Sequence, residues 1–313
     1  MDLLRPPNNV TEFAFLGLMQ NPHLQKILFI VFLFIFLFTV LAILLIVITI
    51  SLSPTLSAHI YFFLIYLALT DAFHTSAVTP KMIIPLLYQK RITSWSDSLN
   101  QIFLAHFLGG SDIIVLTVMA YDRYVGIYKP LHYTTIMSQK LCSLLVGASY
   151  SWGTVCSLTL THFLSELSFR GNNIINNFVC EQAAFVDVSC SDPYISQEII
   201  LVSAMFNEIS SLMIILTSYI FIFITVLNMP STGGHHKPFS TCASHLTAIT
   251  IFHGTILFLY CVPDSRSSWL MVKVASFFYT VVIPMLNPVI YSLRNKEVKE
   301  TARKLVNTKL LCQ

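Results

Sequence analysis

The sequence predicts an all-α membrane protein: a seven-transmembrane helix bundle with a short amphipathic helix after the seventh span. Three observations carry that expectation. Charged residues fill only 11% of the 313 positions, against 55% hydrophobic, where a soluble domain carries about 25% charged. The 24 residues from Ile27 to Ile50 contain no charge at all, and roughly 20 suffice to cross a hydrocarbon core. Further long apolar runs recur along the chain, uniformly apolar rather than alternating as barrel strands do. The mean hydropathy of +0.71 agrees.

The runs lie near residues 24–50, 58–84, 97–127, 140–162, 196–228, 238–262 and 270–292. Inside a bilayer the backbone must satisfy its own hydrogen bonds, so each run is expected to be a helix. The chain then divides into an extracellular amino-terminal segment 1–23, a membrane domain 24–292 and a cytoplasmic tail 293–313. The first 22 residues are polar, contain Pro6, Pro7 and Pro22, and lack the basic start and apolar core of a signal peptide. The first span is therefore expected to direct its own insertion.

Orientation follows from the ends. Asn9-Val10-Thr11 is a glycosylation sequon, usable only with the amino end outside. Seven spans then put the carboxyl end inside. There Arg294, Lys296, Lys299, Arg303, Lys304 and Lys309 outnumber Glu297 and Glu300, in line with the excess of cations on cytoplasmic segments. Lys90 and Arg91, in an outer loop, run against that rule. The connection 163–195 is the longest, polar, and ends near Pro193; a long loop in a compact bundle is usually functional. Asn295 to Val306 reads as a short helix on the inner membrane surface, with Val298, Ala302 and Leu305 on one face and Lys296, Lys299 and Arg303 within reach of phosphates.

Several function classes find no support. The net charge of +3 and the absence of a basic tract interleaved with aromatics argue against nucleic acid. There is no Cys-x-x-Cys, no His-Glu-x-x-His, no Gly-rich phosphate loop and no Gly-x-Ser-x-Gly elbow. No enzyme, metal or cofactor is expected.

The chemistry instead lies inside the spans. Asp71, Asp112, Glu208 and His253 sit at mid-membrane depth, where ionisable groups either glue helices or serve function. His106, Gly109 and Gly110 follow i, i+3, i+4 and share a helix face, open to close helix packing or to a ligand. Pro284 and Pro288 interrupt the last span, where Asn287 can reach freed carbonyls or Asp71. Asp122 and Arg123 stand together at the end of the third span, a costly place for an arginine without a role.

These residues fall in a pattern. Met119-Ala120-Tyr121-Asp122-Arg123-Tyr124 resembles the third-span signature of olfactory receptors, members of the rhodopsin-like (class A) G-protein-coupled receptors. Pro130-Leu131-His132-Tyr133 resembles their second inner loop. Ile60-Tyr61-Phe62-Phe63-Leu64 and Thr79-Pro80-Lys81-Met82 resemble their second span. Lys237-Pro238-Phe239-Ser240-Thr241-Cys242-Ala243-Ser244-His245-Leu246 is similar to the start of their sixth span, with Pro238 in place of alanine. Pro284-Met285-Leu286-Asn287-Pro288-Val289-Ile290-Tyr291-Ser292-Leu293-Arg294-Asn295 resembles the end of their seventh.

The resemblance implies a plasma-membrane receptor for a small volatile odorant. It would engage a heterotrimeric stimulatory olfactory-type G protein and raise cyclic AMP. It implies ligand contacts at His106, Gly109, Gly110, Asn207, Glu208, His253, Ile256, Tyr260 and Thr280, and a switch of Asp122, Arg123, Tyr124, Tyr219, Asn287, Pro288 and Tyr291. The chain departs from the pattern in places. Ala42-Ile43 stands where Gly-Asn is usual, and Asn177 where the second outer loop usually has histidine. Ser98 and Arg170 occupy usual cysteine positions, orphaning Cys180 and Cys190, which are expected to pair with each other on the oxidising outer face. His253 stands where tyrosine is common and Glu208 is unusual at its position; the two are expected to pair. The alternatives are a poorly folding or weakly signalling receptor variant, motivated by the lost cysteines, and a membrane transporter, motivated by the buried ionisable groups but lacking repeated halves.

Overall fold

The computed structural model describes residues 12–15, 21–53, 56, 58–88, 92–169, 174–175, 177, 180–190, 193–228, 236–261, 269–294 and 298–304. Asn9 and Arg170 lie outside them. Helices dominate: α1 (Pro22–Leu52), α2 (His59–Tyr88), α3 (Trp95–Tyr128), the short α4 (Tyr133–Ile136), α5 (Gln139–Ser165), α6 (Gln182–Val188), α7 (Pro193–Leu227), α8 (His236–Cys261), α9 (Trp269–Phe277) and α10 (Ile283–Arg294). Five helical stretches among the described residues are long and apolar enough to cross a membrane: Pro22–Leu52, His59–Leu87, Trp95–Tyr128, Gln139–Ser165 and Leu201–Leu227. Two shorter apolar helical stretches, His245–Phe258 and Lys273–Asn287, fall in the sixth and seventh predicted runs.

Local chemistry sets the helix starts. The Asn21 side chain accepts from His23 N at 3.0 Å and Pro22 fills the first turn of α1, where its missing N–H costs nothing. Ser94 caps α3 by accepting from Asp97 N at 3.1 Å, and its hydroxyl donates to the Asp97 carboxylate at 2.8 Å. Pro193, expected to close the long loop, is the first residue of α7.

The last membrane helix does not simply kink at its prolines. Phe278–Val282 forms a π-helical turn between α9 and α10, and the Ile283 N–H bonds to the Phe278 carbonyl five residues back. Pro284 lacks an N–H for the Thr280 carbonyl and crowds it. The wider turn just before the proline accommodates that missing bond.

The apolar surface of α1 points outward: Ile30, Phe34 and Leu41 are each at least 65% exposed. Exposed apolar side chains in such a continuous band suit hydrocarbon, not water. α3 is the inner post, packed against α2, α5, α7 and α8. Its approach to α5 is close because Gly110 faces Gly153, whose Cα lies 3.6 Å from where a Gly110 Cβ would be. A Cβ on Gly153 would lie 2.7 Å from the Phe107 carbonyl oxygen. Ser157 Oγ, donating to the Phe103 carbonyl at 2.6 Å, joins the same two helices.

One end of the bundle is closed by a small sheet of strands β1 (Glu12–Phe15), β2 (Ile92–Ser94) and β3 (Ile174–Ile175). β1 lies between the others, antiparallel to β2 with Phe13 opposite Thr93, and parallel to β3 with Phe15 opposite Ile175. Beneath it Phe13, Trp95, Phe169 and Phe185 pack ring against ring, with Phe13–Phe169 centroids at 4.8 Å and Phe13–Phe185 at 5.1 Å, edge to face. The sheet differs from the polar amino-terminal extension that composition predicts, because its pairing joins segments far apart in the chain. At the opposite end, residues 298–304 are helical; Val298 is buried against the core while Lys299, Glu300, Arg303 and Lys304 face outward.

Candidate functional site

The ionisable groups expected at mid-depth are all buried. Asn287 on α10 donates to both Asp71 oxygens on α2, at 3.2 and 3.1 Å. Asp112 on α3 lies within electrostatic reach of Asp71, and its Oδ1 has no partner among the described residues. Next to this cluster, Thr70 and Tyr150 hydroxyls meet at 2.6 Å.

Glu208 and His253 come together as the sequence suggests. His253 Nδ1 and Glu208 Oε1 are 2.8 Å apart, joining α7 to α8 in a region almost without solvent access. One turn further along α7, Ser211 shares a 2.6 Å hydrogen bond with Thr117 of α3. Ile256, three residues after His253, is buried, and so is Thr280, whose hydroxyl donates to the Ser276 carbonyl at 2.7 Å. Gly109 leaves room for the hydroxyl of Tyr279, which a Cβ there would displace and whose ring packs against His74 at 5.5 Å.

Two expected ligand contacts point elsewhere. Gly110 is turned to Gly153 of α5, so it serves helix packing. Asn207 accepts from Trp152 Nε1 at 2.6 Å and donates to Cys156 Sγ at 3.7 Å, both on α5. Consecutive helical residues point about 100° apart, so when Glu208 faces α8, Asn207 is left on the α5 side. His106 is half-buried with Nδ1 2.9 Å from the Ile102 carbonyl of its own helix, and it also reaches the Gln182 side chain of α6. The side chains of Tyr260, Pro288 and Tyr291 lie outside the described residues.

The Cys180–Cys190 bridge is not formed. Cys180 is a free thiol donating to Ser98 Oγ at 3.7 Å, and Cys190 N bonds to the Ser168 carbonyl at 2.8 Å. The seven residues of α6 lie between the two cysteines. Burial pushes the Cys180 thiol up to about 11, against the smaller pull of the Ser98 bond. Burial likewise raises the Glu181 carboxyl, offset in part by bonds from Ser276 and Asn177. Asn177, standing in the histidine position, donates to Glu181 Oε2 at 2.9 Å.

At the end of the bundle away from the sheet, Asp122 does not close onto Arg123. Its Oδ1 accepts from the Tyr133 hydroxyl at 2.8 Å, and the Tyr133 ring packs edge-on against His59. Burial and the Asp122 carboxylate hold the Tyr133 phenol well above the usual phenol range, so it remains the donor. Arg123 is half-buried, with Nε unpartnered among the described residues. It lies within electrostatic reach of Tyr219, Cys242 and His245. The Tyr219 hydroxyl meets His245 Nδ1 at 2.5 Å, tying α7 to α8. Tyr124 stacks on Tyr128 with centroids 5.3 Å apart. On the outer surface between α3 and α7, Tyr121, Tyr124, Met213, Ile214, Thr217, Ser218 and Phe221 border a groove of about 370 Å³, apart from the predicted ligand residues.

Tyr133 and His245 were in view in the sequence but carried no assigned part. A usable signal existed for His245: with Ile249, Phe252 and Ile256 it follows i, i+4, i+7, i+11, a polar residue on the buried face of α8.

A bundle of membrane-length apolar helices holding buried polar pairs between α2, α7, α8 and α10 defines an α-helical, multi-pass membrane protein. The sequence profile of the olfactory receptor family matches residues 30–309. The chain is 53% identical over 307 residues to olfactory receptor 5D13 of Homo sapiens, covering 98% of each chain. It is 49% identical over 303 residues to olfactory receptor 1165 of Mus musculus, covering 97% of this chain and 96% of the other. With olfactory receptor 5D18 of Homo sapiens it shares 52% identity over 300 residues, 96% of each. The chain belongs to the olfactory receptor family, a family of G-protein-coupled receptors and not of enzymes.

Proposed function

We propose that this chain is an odorant receptor of seven spans at the plasma membrane, amino end outside, which activates a stimulatory olfactory-type G protein and raises cyclic AMP. The family supports odorant sensing in general. The observation that carries the signalling half is the arrangement of Arg123 beside the Tyr219–His245 pair while Tyr133 occupies Asp122. An arginine released from its neighbouring carboxylate, beside polar groups of two other helices, is available to change partners when those helices shift. A ligand that prefers one arrangement shifts the population toward it. On the ligand side the reading retains His106, Gly109, Glu208, His253, Ile256, Tyr260 and Thr280 as contacts. Gly110 and Asn207 act behind them, setting how α3 and α7 lie on α5.

The test is cyclic-AMP production in cells expressing the chain with an olfactory-type G protein, screened against a broad odorant panel with surface level measured in parallel. The expected result is a dose-dependent rise that Arg123→Ala abolishes at unchanged surface level. A response that survives Arg123→Ala in full would remove the proposed role of this end of the bundle.

A further inference from the structure

Glu208 and His253 each keep one polar atom in reserve. Their bond uses Oε1 and Nδ1 at 2.8 Å; Oε2 and Nε2 are buried and have no partner among the described residues. Both side chains are almost completely inaccessible, 0% exposed for Glu208 and 2% for His253. Buried polar atoms are nearly always bonded, so two orphans on one pair call for a missing partner. Ser211, one turn along α7 from Glu208, is already engaged with Thr117.

We propose that this pair anchors the ligand's head group and selects one that both accepts and donates a hydrogen bond, specifically a hydroxyl on a small apolar skeleton. The proposal deepens the odorant-receptor reading and rests on it.

The selection follows from counting protons. At net charge −1 or 0 the bond between Nδ1 and Oε1 can be made in four ways. The first is a carboxylate facing an imidazole that carries its proton on Nδ1, with net charge −1. The second is a carboxylate facing an imidazolium. The third is a carboxylic acid donating to Nδ1 of an imidazole that carries its proton on Nε2. The fourth is a carboxylic acid protonated on Oε2 whose Oε1 accepts from Nδ1–H of a neutral imidazole. The last three are neutral and differ only in where one proton sits. A net charge away from water is costly, which favours the neutral pair. The two helices that carry the pair hold no cation at this depth to offset a negative charge: α7 contains no lysine or arginine and α8 has only Lys237 near its start. In every neutral form one of Nε2 and Oε2 donates and the other accepts. A hydroxyl matches that pattern with one group: its oxygen accepts and its hydrogen donates. An ether or aldehyde can answer only the donor, and an alkane neither.

The test uses the full-length receptor in cells and a series of straight-chain primary alcohols from pentanol to decanol, each with its methyl ether and parent alkane. The readouts are cyclic AMP and surface level. Leaving a buried donor or acceptor unpaired weakens binding by about 10- to 100-fold, so the wild type is expected to prefer each active alcohol over its ether by that factor in half-effective concentration. In the double variant Glu208→Met with His253→Phe, which removes both polar ends and keeps bulk, the preference is expected to fall within about 3-fold. Equal potency of alcohol, ether and alkane on the wild type overturns the proposal while leaving odorant sensing intact. So does a preference that persists in the double variant at normal surface level. If no alcohol acts on wild type at normal surface level while other odorants of the broad panel do, the head-group inference is overturned and odorant sensing stands; if the whole panel is also silent, the odorant reading fails. The wild-type ranking decides even where the double variant reaches the surface poorly.

Discussion

The two ends of the bundle are held by different forces. At the sheet end, Phe13, Trp95, Phe169 and Phe185 enclose one another, with Phe13 and Phe185 fully buried. Ring packing is strong and sensitive to volume, but it offers no alternative partner. At the opposite end, Tyr133 holds Asp122, Tyr219 meets His245, and Arg123 stands beside both pairs. Arg123 acts electrostatically on Asp122, Tyr133, Tyr219 and His245 alike. The first end is closed by apolar packing; the second is held by polar pairs, which is the end assigned to signalling in the proposed function.

The largest expected effect tests the closed end. Phe185→Ala removes a ring that touches Phe13, Phe15, Trp95 and Phe169. A buried Phe→Ala change costs about 3–5 kcal/mol, so thermal unfolding of the solubilised receptor should shift sharply downward and surface level should fall. Phe185→Leu should recover most of both. A loss below about 1 kcal/mol would mean that the aromatic cluster does not hold this end.

What was legible in the sequence differs from contact to contact. Asp122 and Tyr133 both fall in motifs visible in the sequence, but their bond depends on how the turn after α3 folds back on the helix end, and nothing in the spacing shows that. The Asp71–Asn287 and Glu208–His253 pairs were legible because polar residues in apolar runs have few available partners. The aromatic cluster draws on residues 13, 95, 169 and 185, and nothing in local periodicity links rings so far apart. The facing of Gly110 and Asn207 was hidden because it depends on how each helix is rotated about its axis relative to α5. Cys180 and Cys190 are both free, and between them lies α6, a helix inside what the composition presents as a loop.

A smaller effect tests the polar end. In a double-mutant cycle of Tyr219→Phe and His245→Phe, the coupling read from stability should be about 0.6 kcal/mol, and no more than roughly 1.7 kcal/mol, as for other hydrogen bonds between membrane helices. The same cycle read from basal and stimulated cyclic AMP should be strongly non-additive, because each change alone already breaks the pair. Additivity in the signalling readout would show that the bond contributes to packing alone and would erase the distinction drawn between the two ends.

The smallest effect is kinetic, and it concerns the thiol under the sheet. Cys180 lies half-buried against Ser98, whereas Cys190 is exposed. Alkylation requires the thiolate. Burial moves the Cys180 thiol from its ordinary 9.0 to about 11, which lowers the thiolate fraction at pH 8 from about one in ten to about one in a thousand. Alkylation of folded receptor by iodoacetamide at that pH, followed by peptide mass mapping, should therefore modify Cys180 about 100-fold more slowly than an unperturbed thiol and well after Cys190. The rate should climb as pH approaches 11. The sign of the linked stability is fixed by the same shift. The native state keeps its proton where the unfolded chain has lost it, so the contribution is full below about 9 and disappears as pH rises through about 11. Equal alkylation rates for the two cysteines at pH 8 would mean that the closed end admits water and reagent freely, which a packed aromatic lid does not allow.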